Sequence, residues 1–146
     1  MTDASTAFID HTLRRRILCA VGALMLLLLL AACSSGGQDP AEVATLPEGD
    51  ARRGEELFIL SIEGAPPCSN CHVLAGPPNE GADLTGFGAL AASRVSGMTA
   101  KGYAYQSIVK PAAFVVPGFS NLMYNQYEHR LSPQQIADLI AYLLTL

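Results

Sequence analysis

Two cysteines separated by two residues and followed at once by a histidine form the one short motif with obvious chemistry: Cys68, Cys71 and His72. This CxxCH spacing is the attachment pattern of a c-type haem. Each thiol can add across one vinyl group of the porphyrin, and the two-residue gap lets one turn of backbone present both sulfurs to the same ring edge. The imidazole of His72 would then be the proximal axial ligand of the iron. The motif predicts one covalently bound haem c.

A zinc site and a redox dithiol are the alternatives for the same motif. A closed zinc site needs four Cys or His ligands at recognisable spacings. The other candidate ligands are scattered along the chain: His11, Cys19, Cys33 and His129. A thioredoxin-like dithiol follows a strand in a βαβ pattern, whereas two prolines, Pro66 and Pro67, precede this motif. Both alternatives are therefore weaker than haem attachment.

Residues 1–33 are typical of a membrane-targeting segment. Three arginines ending at Arg16 precede an almost unbroken apolar run from Ile17 to Leu30. The run ends in Leu-Ala-Ala-Cys, which resembles a bacterial lipobox, so Cys33 is predicted to become an acylated N-terminus. The alternative is an uncut transmembrane helix, although the run is slightly shorter than the roughly 20 residues that cross a bilayer. Both versions anchor the protein and place the rest of the chain on the periplasmic side of a bacterial cytoplasmic membrane, because the arginines stay inside.

A flexible linker is predicted for residues 34–48, which are rich in small and acidic residues and lack an apolar period. The globular domain is predicted to span residues 49–146, and Asp50 is a good N-cap for its first helix. In that helix Gly54, Leu57, Phe58 and Ser61 fall on one face. Since glycine in a helix costs about 1 kcal/mol relative to alanine, Gly54 indicates the close approach of another helix.

The partner helix is predicted at the end of the chain. Ser132, Pro133 and Gln135 form the pattern of a capping box with proline at the first helical position. An apolar stripe follows at helical spacing: Ile136, Leu139, Ile140 and Leu143. We expect this helix to cross the first one at Gly54, with Phe58 packed near Leu139 and Tyr142.

The region from residue 49 to residue 146 resembles the single-haem class I cytochrome c family. The matching stretches are Gly49 to Ala51 with Gly54 and Phe58, Cys68 to His72, Gly81 to Gly86, and Asp138 to Leu143. The resemblance implies an all-α fold in which crossed N- and C-terminal helices and a few others wrap a covalently bound haem.

The resemblance also implies a methionine as the sixth iron ligand, in a loop before the last helix. Met123 matches that position. Met98 is the rival, but it comes earlier, before a helix predicted at 103–109 that should stop before Pro111. His129 is a weaker alternative ligand and is expected to lie on the surface.

Two departures from the family pattern concern loops beside the haem. Tyr124 stands where a proline commonly follows the ligand methionine, and Ala82 stands where a proline commonly offers its carbonyl to the proximal histidine. Alanine keeps that carbonyl, so the hydrogen bond to His72 can form. Three further residues are candidate hydrogen-bond partners of the haem propionates: Arg94, Tyr103 and Tyr105.

The charge of the chain constrains the partners. From residue 34 onward there are 11 acidic and 6 basic residues, a net charge of −5. No basic patch points to nucleic acid, and no lysine-rich docking face is present. The expected partners are other redox proteins or subunits of a membrane complex, and the membrane itself.

Ligation by both His72 and Met123 would leave no open site on the iron, so the chain is expected to be an electron carrier rather than an enzyme. It resembles the monohaem subunits of bacterial quinol-oxidising complexes such as alternative complex III, or the cytochrome domains of oxidases, in respiratory or photosynthetic chains. A lipid-anchored shuttle is a second possibility. The alternative of a different class is a haem-containing dehydrogenase subunit or a peroxidase-like enzyme with an open sixth site.

Overall fold

A computed structural model describes residues 39–146, together with helical residues 16–18 and 21. Contacts divide the chain into two units, residues 1–35 and 36–146. Most of the predicted targeting segment, including its acylation site Cys33, lies outside the described residues. Among the residues that are described, no helix is both long and apolar enough to cross a membrane.

The domain is built from α-helices joined by long loops. Its helices are α1 (Ala51–Phe58), α2 (Phe87–Arg94), α3 (Ala100–Val109), α4 (Tyr127–Arg130) and α5 (Pro133–Leu143). Short 3-10 helices lie at Ala41–Thr45, Cys68–Asn70 and Pro111–Ala113. Residues 39–146 form no β-strand beyond an isolated bridge between Ile62 and Ala65. The all-α prediction is confirmed for this part of the chain, and α3 ends before Pro111 as expected.

Helix α1 begins at its predicted cap. The Asp50 carboxylate accepts hydrogen bonds from the backbone amides of Arg52 and Arg53, at 2.9 Å and 3.2 Å. The helix ends at Phe58, one turn earlier than the apolar spacing suggests. Ser61 is exposed, and its hydroxyl donates to the Ala65 carbonyl in the following turn.

Helix α5 begins with both halves of the predicted capping box. The Gln135 amide donates to the Ser132 hydroxyl at 3.2 Å, and the Gln135 side chain accepts from the Ser132 amide at 2.8 Å. The predicted apolar stripe is buried along its whole length: Ile136, Leu139, Ile140 and Leu143. A capped helix with one continuous apolar face is thereby fixed against the core.

Helices α1 and α5 cross in direct backbone contact. A Cβ built at Gly54 would overlap the carbonyl of Asp138 and lie 2.7 Å from the Cβ of Tyr142. The rings of Phe58 and Tyr142 meet edge to face, with centroids 5.6 Å apart. Both observations confirm the predicted crossing, since only a residue without a side chain permits this approach.

Asp138 is a buried polar hub at this crossing, only 2 % exposed. Its carboxylate accepts hydrogen bonds from the Asp50 amide at 2.8 Å, the Gln134 side chain at 2.9 Å and the Arg53 guanidinium at 2.9 Å and 3.1 Å. These donors, with the Arg53 hydrogen bond as the largest cause, lower the pKa of the Asp138 carboxyl below its ordinary value. The ionised form therefore ties the first turn of α1 to α5.

We expect the stability of the domain to fall in acid through Asp138. Because its folded pKa lies below the unfolded value of about 3.9, the carboxylate stabilises the fold above pH 4, and this contribution is lost as the pH falls through the folded pKa. Asp138→Asn should cost about 1–3 kcal/mol at pH 7 and progressively less towards acid pH. Urea unfolding between pH 7 and pH 2.5 measures how the difference in the free energy of unfolding between Asp138→Asn and wild type shrinks. The exposed Glu55→Gln is the control, and a constant difference between Asp138→Asn and wild type would contradict the prediction.

The predicted flexible linker is wrong for residues 39–48, which we call the strap. The Asp39 carboxylate accepts hydrogen bonds from the amide and hydroxyl of Thr99. Val43 is buried in the main core. At the other end of the strap, the Glu48 carbonyl accepts a hydrogen bond from the Gln134 side chain. Acidic and small residues suggest solvation locally, but here they meet donors supplied by distant helices.

Candidate functional site

The domain contains a cavity of ≈ 380 Å³, within the range of roughly 300–1,000 Å³ typical of ligand and cofactor pockets. The CxxCH turn, the loop that follows it and the loop before α4 contribute its polar and sulfur-bearing groups. Its apolar wall comes from both helices and loops. The helices supply Phe58, Phe87, Ile108, Leu139 and Leu143 among others, and the segment from Phe114 to Tyr124 supplies much of the rest. The cavity is therefore suited to a large, flat, mostly apolar group.

The CxxCH motif forms a single tight turn at the edge of this cavity. Backbone hydrogen bonds run from the amides of Cys71 and His72 to the Cys68 carbonyl, at 3.2 Å and 3.0 Å. All three side chains line the cavity, and both thiols are free. Burial raises the pKa of the Cys68 thiol to about 11, so this sulfur is protonated at neutral pH. Burial and then Glu80, whose carboxylate lies 3.6 Å from the sulfur, raise the pKa of Cys71 as well.

The His72 ring is oriented by the residue that replaces the family proline. Its Nδ1–H donates to the Ala82 carbonyl at 2.9 Å, which confirms that alanine can supply this hydrogen bond. The adjacent Gly81 leaves space for the ring, because a Cβ there would lie 2.7 Å from Cε1 and 2.8 Å from Nδ1 of His72. With Nδ1 occupied as a donor, Nε2 is the nitrogen available to a metal.

The loop after the motif is held by its own polar side chains. The Asp83 carboxylate accepts hydrogen bonds from the amide and hydroxyl of Thr85, at 2.8 Å and 2.7 Å. The Thr85 hydroxyl also accepts from the Ala75 amide at 2.7 Å. The hydrogen bonds from Thr85 are the main cause that lowers the pKa of Asp83. These contacts fix the loop that presents Ala82 although no proline stiffens it.

The two candidate methionines lie in different environments. Met123 lines the same cavity as His72. Met98 is buried instead in a separate apolar cluster, where it packs with Ala91 and Tyr103, and it does not line the cavity. His129 is exposed on α4, as the sequence suggested. Among these three candidates, Met123 is therefore the one that shares the cavity with His72.

Arg94 and Tyr103 line the cavity, but Tyr105 does not. Tyr103 is buried between Phe87 and Phe114, with ring centroids at 5.9 Å and 5.8 Å. Tyr105 lies in the main core, where burial raises its pKa. The structure therefore places Tyr105 apart from the other two candidates, because residues two apart on a helix point to different sides.

Tyr127 is a residue of the site that the sequence did not reveal. Its hydroxyl donates to the Pro66 carbonyl at 2.8 Å, directly before the CxxCH turn, and its ring meets Tyr124 edge to face at 5.0 Å. Burial raises the pKa of this phenol, which stays protonated as a donor. Tyr127 thus joins the loop carrying Met123 to the segment carrying Cys68. In the sequence, the only indication that Tyr127 belongs to the site was its position four residues after Met123.

The residues around the cavity fit a covalently attached haem. Two thiols share one turn, an imidazole is oriented with Nε2 free, and a thioether lies on the same apolar cavity. Among the described residues, no group of three or more His, Cys, Asp or Glu side chains is arranged to hold a metal ion by itself. The donor set therefore suits an iron that arrives in a porphyrin better than a bare zinc ion.

Comparison with known proteins agrees with this arrangement. Residues 51–146 match the family model for cytochrome c. Searches of curated proteins and of solved structures gave no match. The matched region runs from the start of α1 to the last residue and contains the CxxCH turn, the cavity loops and Met123. The chain therefore belongs to the cytochrome c family, whose members carry electrons on covalently bound haem c.

Proposed function

We propose that this protein is a membrane-tethered cytochrome that passes single electrons between redox partners through one haem ligated by His72 and Met123. The observation that carries the proposal is the cavity on which both thiols, the imidazole and the methionine thioether converge. Cys68 and Cys71 would hold the haem through thioether bonds. When bound, the haem supplies a one-electron couple between ferric and ferrous iron.

The ligand pair accounts for electron transfer without other chemistry. His72 Nε2 and the Met123 sulfur would both bind the iron, which would leave no coordination site for a substrate. The hydrogen bond from His72 to Ala82 would hold the imidazole in the orientation that makes Nε2 available to the iron. A thioether ligand favours ferrous iron and raises the reduction potential relative to ligation by two histidines.

The apolar wall of the cavity would also raise the reduction potential. Side chains such as Phe58, Ile108 and Leu139 are buried and give the cavity beside His72 an apolar wall. A low-polarity surrounding disfavours the extra positive charge of ferric iron, so it also raises the potential. Arg94, an exposed residue of the lining, can pair with a propionate, and Tyr103 can do so only if its hydroxyl reaches past its aromatic neighbours.

The proposed location of the protein rests on the predicted targeting segment, and its proposed partners rest on the sequence pattern of the whole chain. A lipid on Cys33, or an uncut helix over residues 17–32, would hold the domain at the periplasmic face of the cytoplasmic membrane. The partners would be subunits of a quinol-oxidising or oxidase complex, as the resemblance of the whole pattern implies. The net charge of −5 after residue 33 means that charge steering would use a basic surface on the partner.

The proposal is tested with the full chain produced in a bacterial host that matures c-type cytochromes. Haem staining after denaturing electrophoresis should show covalent haem, and a redox titration should show one reversible one-electron step. The ferrous protein should not bind carbon monoxide readily. Rapid carbon monoxide binding would indicate an open sixth site and would move the peroxidase-like or dehydrogenase-subunit alternative ahead of electron transfer.

Gly81→Ala should weaken the bond between His72 and the iron, because the added Cβ would displace the imidazole. Loss of such an outer hydrogen bond typically weakens metal binding by about 10–100-fold. The acid midpoint at which protonation removes His72 from the iron should therefore rise by about one pH unit or more, since protons compete for Nε2. The low-spin to high-spin change of the ferric spectrum measures it.

Gly76→Ala is the matched control for this substitution, because it lies in the same loop and a Cβ there would meet no atom within 4 Å. Its acid midpoint should equal that of wild type. If Gly81→Ala behaves like Gly76→Ala, the position of the His72 ring does not depend on Gly81.

A further inference from the structure

The strap is fixed to the domain at its first residue. The Asp39 carboxylate accepts hydrogen bonds from the Thr99 amide at 2.7 Å and from the Thr99 hydroxyl at 2.6 Å. Thr99 is the N-cap of α3. The carboxylate therefore also lies near the positive end of the helix dipole, where a negative charge is stabilised.

The first turn of α3 provides space for this carboxylate. A Cβ built at Gly102 would overlap Asp39 Oδ1, and the three nearest atoms that it would meet all belong to Asp39. The Gly102 amide in turn donates to the Thr99 hydroxyl at 3.0 Å, which orients that hydroxyl towards Asp39. The glycine is thus explained by the strap rather than by another helix.

The rest of the strap is held at two further points. Val43 is 7 % exposed and packs in the main core. The Glu48 carbonyl accepts a hydrogen bond from the Gln134 side chain at 2.8 Å. Contacts at the start, middle and end of the strap hold it on the domain.

We propose that the docked strap keeps the haem domain close to the bilayer surface, because only the five residues from Ser34 to Gln38 separate the proposed anchor at Cys33 from the first docked residue, Asp39. This inference rests on the proposed membrane attachment, and it applies whether the chain is anchored by a lipid on Cys33 or by an uncut helix. Five residues span at most about 18 Å, whereas a free linker over residues 34–48 would span about 50 Å. A domain with so short a reach suits a redox partner bound to the same membrane.

Two independent substitutions should release the strap in the full-length, haem-loaded protein. Asp39→Ala removes the carboxylate, and Gly102→Ala fills the space that the carboxylate occupies. In either variant the Thr99 amide should exchange its hydrogen at least about tenfold faster, because it loses a hydrogen bond to a charged group. The double variant should resemble Asp39→Ala alone, since the new Cβ then meets no Asp39 carboxylate. Glu42→Ala, an exposed strap residue of equal charge, is the control.

The tether length is measured on vesicles that carry a fluorescent dye on the lipid headgroups, which the haem quenches by energy transfer. Release up to Val43 raises the greatest possible span between the proposed anchor and the first residue held on the domain from about 18 Å to about 32 Å. Quenching should therefore be weaker for Asp39→Ala and Gly102→Ala than for wild type and Glu42→Ala.

Flotation of the same vesicles separates the two ways in which the inference can fail. If wild-type protein does not float with the vesicles, the proposed membrane attachment is wrong and the inference falls with it. If all variants float and quench equally, membrane attachment stands but the strap does not set the distance. Fast exchange of the Thr99 amide in wild type would show that the strap is not docked at all.

Discussion

Met123→Leu will abolish the weak red absorption band that a methionine sulfur gives when bound to ferric haem, and will lower the reduction potential. Leucine fills nearly the same volume but has no donor atom, so the iron would lose the proposed sixth ligand while the cavity wall is preserved. Axial ligands tune haem potentials over about 0.8 V, and we expect a fall on the order of 0.1 V or more. Optical spectroscopy and potentiometric titration measure both changes.

Met98→Leu is the matched control, because it makes the same chemical change in a methionine that packs with Ala91 and Tyr103 but does not itself line the cavity. It should retain the red band and the wild-type potential, with a loss of stability below about 1.5 kcal/mol. If Met98→Leu removes the band and Met123→Leu keeps it, the assignment of the sixth ligand is reversed. If neither substitution changes the spectrum, the methionine ligand must be abandoned.

Gly54→Ala will destabilise the domain strongly, although alanine is the better helix former by about 1 kcal/mol. Its Cβ would overlap the Asp138 carbonyl and press on Tyr142. Helices α1 and α5 must then separate, which loosens the contact between Phe58 and Tyr142. Overpacking of this kind costs about 1–3 kcal/mol and sometimes more, and a net loss of about 2 kcal/mol would lower the melting temperature by roughly 10 °C.

Thermal and urea unfolding of the haem-loaded protein test this prediction. Gly76→Ala is again the control, since open space surrounds that glycine, and its stability should stay within about 0.5 kcal/mol of wild type. A Gly54→Ala variant as stable as wild type would mean that the crossing can widen without loss of packing. The absorbance of the haem would reveal such a rearrangement of the core.

Several structural features of this protein are determined by short stretches of its sequence. The cap at Asp50, the capping box at Ser132 and the buried stripe of α5 were each predicted from residues within one or two turns, and the structure confirms them. The CxxCH spacing likewise fixes a single turn, which explains why both thiols and the imidazole of His72 reach one cavity. In each case the interacting atoms are close neighbours along the chain, so the physics is local.

Other features were decided only where distant segments meet. Met123 and Met98 are equally plausible as residue types, but only the folded chain brings Met123 to the cavity of His72. The direction of Tyr105 into the main core and the link from Tyr127 to Pro66 depend in the same way on how helices and loops pack. No local pattern encodes these distances.

The strap shows that its mobility, too, could not be predicted from the sequence. Its composition predicts a flexible linker, yet Asp39 finds two donors on Thr99, which is 60 residues away along the chain. A polar side chain looks solvated in a sequence because its local neighbours offer no partner. Whether it binds water or a distant backbone amide is settled by the surface that the rest of the chain presents, and only the tertiary structure shows that surface.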